Sequence, residues 1–569
     1  MGVNLGTLVE STHVYPDGKD NLNSLITGIP RDIILKAGAT FLTDQTLDKQ
    51  SEDLGKTIYN WFNADNSDFK DDIIKRITKH YPKNVVRNLM ILSPITSLKL
   101  LQIGFSKSDA QQEKEKDFSE IERDLFKAYL LLNDSITHLQ TKSKDYINNN
   151  YPAIKFGLMF LNISFASSDL INFIYAREFF CQSVKGMFLY GFLKNETALK
   201  PHLEEFLKKY SVNSFEDYRS RLMGLMAPLA NKQNSGFIEY LIKENEEFIT
   251  KISVQDYSLA DDVDFRIVRS APLVKTGEKK YRVTHPIFIT DKFFKSVYFD
   301  LSKINDDLKA EAINNFRRFY TTNFSEKYLL YEVLKYILVD RYIQFTGAEL
   351  DRMKIQGAPD YYVRNGNTIF LIENKDVLIK AQVKENQVFE DIEAELKKKF
   401  LEDDHRGVGI KQIARNVERA LSLQNTFDKN YKAANSVIYP ILVVHDIVYD
   451  TAGLNALFNE WFSTEMTALK KKGHKVDKVK PLIVLSIDTL IRAAGLLRIN
   501  KFSLRDMLDL YLDAIKMKTK KVKTDEEMMK LISDTFMPST KVIENWLNDK
   551  YVIQLKDNGI LDYAMSKMN

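Results

Sequence analysis

The sequence predicts an α/β domain with a mixed central sheet flanked by helices, preceded by a mostly α-helical N-terminal region and a small β-containing connector. Three observations carry this. From Phe118 to about Tyr257 the chain reads as nearly continuous helix, with apolar residues recurring every three or four positions. Near Asp264 that pattern breaks into short apolar runs. From about Asn323 a helix, a hairpin, further helices and two β-branched runs follow in order.

Taken along the chain, residues 1–105 mix helical patterns with turn clusters, and DNSDFKDDIIKRITKHY reads as one amphipathic helix. The polar stretch SKSDAQQEKEKD at 106–117 is the first expected linker. A helical domain is expected over 118–260, where FSEIERDLFKAYLLLND places Ile121, Leu125, Ala128 and Leu132 on one face. The connector covers 261–300: its residues predict a hairpin turning at Thr276-Gly277, and FKSVYFDL reads as another short strand.

The α/β domain is expected over 301–500. SEKYLLYEVLKYILVDRYI is its first helix, and Asn365-Gly366 reads as the two-residue turn inside DYYVRNGNTIFLIENKD. NQVFEDIEAELKKKF and IKQIARNVERALSLQ predict helices, the second with a buried stripe of Ile410, Ile413, Ala414, Val417 and Leu421. SVIYPILVVHD and PLIVLSID predict buried strands. Residues 501–569 are expected to form a helical C-terminal extension.

Composition removes several function classes. The 569 residues are 44% hydrophobic and 28% charged, an ordinary balance for a chain that buries real cores. With 81 basic and 77 acidic residues the net charge is +4, so any surface for nucleic acid must be local. The single cysteine, Cys181, cannot form an internal disulfide or a cysteine-rich zinc site. The eight histidines are scattered, so a metal here is expected to be a hard cation on carboxylates. The apolar stretch GLMFLNISFASSDLINFIY is interrupted by Asn162, serines and Asp169 and reads as a buried helix. No targeting segment is legible in MGVNLGTLVESTHVYPDG, and the expected setting is the cytoplasm with no membrane partner. There is no phosphate-binding Gly-x-x-x-x-Gly-Lys-Ser/Thr loop and no Gly-x-Ser-x-Gly elbow.

One constellation carries chemistry. Pro359-Asp360 opens the first strand of the hairpin, and Glu373-Asn374-Lys375 closes the second. Residues two apart on a strand share a face, so Glu373 and Lys375 project together, and the turn can return Asp360 to the same edge. Ending an apolar strand with Glu and Lys has an electrostatic cost that calls for a reason. Phosphodiester hydrolysis supplies one: two carboxylates hold Mg²⁺, and a lysine orients water or stabilises developing charge. Other Glu-x-Lys triplets occur, such as Glu278 with Lys280 and Glu395 with Lys397, so the value lies in the surrounding order of elements.

These residues resemble the PD-(D/E)xK nuclease superfamily, with its restriction-endonuclease-like fold, over about 320–490. The resemblance implies that Asp360 and Glu373 are metal ligands for Mg²⁺ or Mn²⁺ and that Lys375 is the catalytic lysine. It also implies an acidic residue from the first helix. At 100° per residue Glu326 falls on the apolar face and Glu332 nearly opposite, which favours Glu326, although Asn323 and Glu326 also have the spacing of a capping box. By the same resemblance Lys411 and Gln412 are substrate-binding candidates. Gly407-Val408-Gly409 reads as a turn that starts a helix. The lysine clusters at 470–480 and 516–523 are candidate phosphate contacts or solvated faces.

The expected function is therefore a metal-dependent endonuclease acting on nucleic acid, DNA in the first instance, of a kind that resembles bacterial antiviral-defence effectors. The N-terminal region is then expected to sense a trigger, bind a partner protein or mediate self-association. The rival is a non-catalytic nucleic-acid-binding or scaffold protein; within the class, the rivals are an RNase and a structure-specific repair nuclease.

Overall fold

A computed structural model describes residues 7–16, 18, 20–47, 54–81, 86, 89–107, 116–171, 174–231, 238–255, 257–422, 425–499, 502–516, 524–550 and 559–568. The 106–117 linker and the 516–523 lysine cluster lie largely outside them.

The α/β part is organised by a five-stranded sheet: β1 Ile343–Thr346, β2 Tyr361–Asn365, β3 Thr368–Lys375, β4 Val437–Val444 and β5 Ile483–Ser486. The spatial order is β5-β4-β3-β2-β1. β1, β2 and β3 pair antiparallel, whereas β3, β4 and β5 run parallel, so the sheet is mixed as expected. β1 was not anticipated. Residues 343–346 are too short for alternation to declare a strand, and pairing with β2 makes it one.

β3 is central and buried along its length apart from Lys375, and its alternation divides two cores. Ile369 and Leu371 pack with Phe389, Ile392 and Leu396 of helix Phe389–Phe400 and with Ile413 and Val417 of helix Ile410–Leu421. Phe370 and Ile372 face Val333, Leu334 and Ile337 of helix Tyr331–Leu338 and Leu490 and Ile491 of helix Ile487–Arg498.

Three local readings are corrected. In the hairpin, Asn365 pairs with Thr368, so the turn is Gly366-Asn367, one residue later than expected. Gly366 takes φ 57°, which a glycine at the first central position of a two-residue turn supplies. Likewise the connector hairpin turns at Glu278-Lys279, between strands Leu273–Gly277 and Lys280–Val283. FKSVYFDL is not a strand: helix Lys295–Asp307 forms because Val297, Leu301 and Ile304 recur at helical spacing and are buried.

The helical region is broken by strand Glu239–Leu241, which joins the connector hairpin as a third strand. Helix Phe118–Thr141 buries Ile121, Leu125, Ala128 and Leu132 as expected. The apolar stretch after Lys155 is not one helix: Lys155–Ser164 and Ser168–Ile171 are separated by a 3₁₀ turn. No single helix among the described residues is long and apolar enough to cross a membrane.

The expected boundaries at 260, 300 and 500 do not separate cores. Val184, Phe188 and Phe192 of helix Tyr175–Asn195, Leu301, Ile337 and Ile372, and Leu508, Ile543 and Ile560 near the C-terminus belong to one continuous cluster. Phe188 meets Tyr328 and Tyr563, and Phe192 meets Phe324.

Two outcomes follow. Each buried Val, Leu or Phe contributes about 1.5–3 kcal/mol, against a total stability of about 5–15 kcal/mol. A fragment beginning at Leu301 loses several such residues and should fail to fold, as judged by circular dichroism and solubility. Gly366→Ala should cost roughly 1–2 kcal/mol in urea unfolding, because Ala disfavours positive φ, whereas Asn365→Ala should cost less than about 0.5 kcal/mol.

Candidate active site

The β2–β3 register, with Tyr361 opposite Ile372, continues to place Asp360 opposite Glu373. Directly opposed residues have Cβ atoms roughly 4.5–5.5 Å apart. Asp360 is anchored on both sides. Its carbonyl accepts from the Gly347 N–H at 2.7 Å, and its Oδ2 accepts from the Asn374 N–H at 2.7 Å. Gly347 permits that approach: a Cβ there would lie 3.1 Å from the Asp360 carbonyl oxygen.

Glu373 is 1% exposed and Lys375 lies on the same face. Lys375 Nζ donates to Glu373 Oε1 at 2.8 Å and to Gln412 Oε1 at 3.0 Å. Gln412 Oε1 also accepts from the Gly409 N–H at 2.7 Å, so the glycine turn and the first turn of helix Ile410–Leu421 hold the amide on the lysine. Gly409 has φ 47°, and a Cβ there would sit 2.7 Å from the Phe400 carbonyl oxygen. Gly407-Val408-Gly409 is thus the turn that starts this helix.

Lys411, the neighbouring candidate, ion-pairs with Glu402. Adjacent helical residues point about 100° apart, so one of the pair faces Lys375 and the other does not. The two helix carboxylates also part company. Glu332 accepts from the Tyr563 hydroxyl at 2.5 Å and pairs with Lys567 at 2.8 Å, committing it to the C-terminal helix. Glu326 instead lies in the field of Asp360 and Lys375.

The capping box does not form. Asn323 and Glu326 both sit inside a π-helical segment, Tyr320–Leu330, and the cap is made earlier, by Asn315 Oδ1 accepting from the Arg318 N–H. A π-turn holds one residue more than an α-turn, so the 3.6-residue wheel does not fix where Glu326 points.

Electrostatically the carboxylates act as a group. Burial, followed by the charge of Asp360, pushes Glu373 up to about 8 despite Lys375. Burial and Asp360 push Glu326 up to about 7. Burial likewise raises Asp360, with the exposed Asp351 adding to the effect. Asp351, in the β1–β2 connection, has no pattern in the sequence that would have singled it out.

Glu373 Oε2 is buried without a hydrogen-bond partner. Two opposed carboxylates, one with an orphaned oxygen, suit a hard divalent cation. Among the described residues, however, no three His, Cys, Asp or Glu side chains form a group that could hold a metal ion, so Glu326 does not join them as a third ligand in this arrangement. The 470–480 lysines are partly engaged within the chain: Lys472 pairs with Glu418, and Lys480 lies 3.6 Å from Asp509.

The raised carboxyls set a sign for pH dependence without metal. The folded state holds protons that the unfolded chain releases, so their contribution is fully present below about 4.5 and is lost as pH rises through about 8. In EDTA, wild-type Tm should fall across that window, and Glu373→Gln should flatten the fall and be more stable at its upper end. Superimposable curves would show that Glu373 ionises normally.

No family model, no curated protein and no solved structure matches this chain.

Proposed function

We propose that the protein is a metal-dependent nuclease that hydrolyses phosphodiester bonds, with DNA as substrate and Mg²⁺ or Mn²⁺ as cofactor. The observation that carries the reading is Asp360 opposed to Glu373 across a hairpin, with Lys375 on the same face and Glu373 Oε2 unpartnered. Asp360 and Glu373 would hold the cation. When bound, such a cation withdraws charge from the scissile phosphate and acidifies water.

The chain's own groups divide the remaining work. Lys375, on the same face as Glu373, would orient the attacking water and stabilise charge on the phosphate. Gln412 is a positioning residue that keeps Nζ at the strand end. Glu326, half-buried and raised, suits proton transfer near neutral pH. The helical region sharing the core is the proposed place for a trigger, a partner protein or self-association, and a role in bacterial defence against foreign DNA is the setting we favour.

Purified full-length protein incubated with plasmid, linear duplex, single-stranded DNA and RNA should cleave DNA in Mg²⁺ or Mn²⁺ and not in EDTA. Asp360→Ala and Lys375→Met should each reduce the rate by about 100-fold or more, Glu326→Gln should reduce it less, and Glu332→Gln should leave it unchanged. Binding without cleavage in every condition would favour the non-catalytic rival. Cleavage at wild-type rate by Asp360→Ala would refute the site.

A further inference from the structure

The other face of the same strand ends opens on a cavity of about 60 Å³ lined by charged and aromatic side chains. At about 10–15 Å³ per water-sized occupant, it admits a group of only a few heavy atoms. The segments after β3, β4 and β5 form one side, through Asp376, His445 with Asp446, and Asp488. Helices Tyr175–Asn195 and Lys295–Asp307 form the other. The carboxyl ends of parallel strands are where open α/β sheets bind ligands.

Six carboxylates line this cavity, and five are matched by a base. Asp169 pairs with Arg269 and Glu178 with Arg177. Asp376 pairs with Arg317 at 2.6 Å, Asp446 with Lys295 at 3.2 Å and Asp488 with Lys185 at 2.7 Å. The Asp291 carbonyl accepts from the Phe294 N–H at 3.2 Å, but its carboxylate has no hydrogen bond or ion pair among the described residues. Asp291 is thus the lining carboxylate left without a base of its own.

Two further acceptors are idle. The Tyr320 hydroxyl, on a residue 2% exposed, has no partner. His445, 8% exposed, is 2.7 Å from Asn374 Oδ1 through Nε2, and Nδ1 has no partner. With the Asn374 carbonyl accepting, the histidine proton is on Nε2 and Nδ1 offers a lone pair. The walls already attract cations: Lys185 Nζ lies 5.0 Å from the Phe294 ring centre, and the Arg317 guanidinium 4.6 Å from that of Tyr298.

We propose that this cavity binds a small organic cation, an alkylammonium or guanidinium group, through the Asp291 carboxylate, the Tyr320 hydroxyl and His445 Nδ1. A donor-rich cation supplies what all three lack, whereas a phosphate or carboxylate brings further acceptors and no donor for them. Burial, with the charges of Asp169, Asp446 and Glu178, outweighs Lys295 and holds the Asp291 carboxyl at about 7, a cost that a neighbouring cation removes. The occupant would sit close to the first site, because His445 bonds the Asn374 side chain and the Asn374 N–H bonds Asp360.

The test is binding, read without any nuclease assay, so it stands or falls apart from the function proposed above. Full-length protein is titrated with methylammonium chloride and with guanidinium chloride at millimolar concentration and constant ionic strength, by calorimetry and thermal shift, with sodium acetate and sodium phosphate as controls. Saturable binding and a raised Tm are expected for a cation and for neither anion. Asp291→Asn should weaken binding by about ten-fold or more, the worth of a hydrogen bond to a charged group. Tyr320→Phe, which deletes only an unpartnered hydroxyl, should weaken it several-fold and provides the comparison if Asp291→Asn does not fold. Absence of saturable cation binding by wild type, preference for phosphate, or affinity unchanged in the folded variants would overturn the proposal.

Discussion

The hydrogen bonds that β3 makes with both neighbours place a strand buried as far as Asn374 at the middle of the sheet, and its last residues are Glu373, Asn374 and Lys375. Polar groups at the end of a buried strand must be satisfied locally or they oppose folding. Alternation sends them to opposite faces. On one face Lys375 meets Glu373 and Gln412; on the other Asn374 meets His445, and Asp376, just beyond the strand, meets Arg317 and Ser325. The rest of the α/β architecture is arranged around these two sets of partners.

The two carboxylates at the strand end differ in how completely this is achieved. Asp376 has a guanidinium and a hydroxyl, which together overcome its burial and hold it below the usual carboxylate range. Glu373 has one lysine for two oxygens, and an opposed Asp360 works against it. A buried charge cluster left short of partners is destabilising by itself and fits a site that gains its last partner from outside the chain. Helices Tyr175–Asn195 and Lys295–Asp307 contribute to the Asp376 face: Lys185 and Lys295 neutralise Asp488 and Asp446 at the ends of the sheet. Helical region and sheet are thus joined by charge as well as by a common apolar core.

The π-helical segment Tyr320–Leu330 serves both faces. Ser325 reaches Asp376 while the next residue, Glu326, lies in the field of Asp360. Sustained π-geometry is rare because its hydrogen bonding is poorer, and it persists where surrounding contacts determine it. Here those contacts are aromatic, since Tyr320, Phe324 and Tyr328 pack in sequence against one another, and Phe324 and Tyr328 pack against Phe192.

By itself the sequence determined what depends on local period and parity. The alternation of β3, the common face of Glu373 and Lys375, the buried Ile410, Ile413, Ala414 and Val417 of helix Ile410–Leu421 and the longer helices and strands from Asn323 were legible, because each follows from backbone geometry over a few residues, whereas the short β1 and the half-buried Leu421 were not. The hairpin was legible but its turn was not placed to the residue, since Asn365-Gly366 and Gly366-Asn367 are both good turns and only strand pairing separates them. Tertiary structure alone decided that Gln412 rather than Lys411 meets Lys375, that 295–307 is helical, and that residues as far apart as Phe180 and Met568 belong to one core. It also decided the direction of Glu326 and the gathering of Asp291, Tyr320 and His445 around one cavity. Those outcomes depend on which elements pack together, and neither a wheel nor a strand pattern contains the distance between side chains a hundred residues apart.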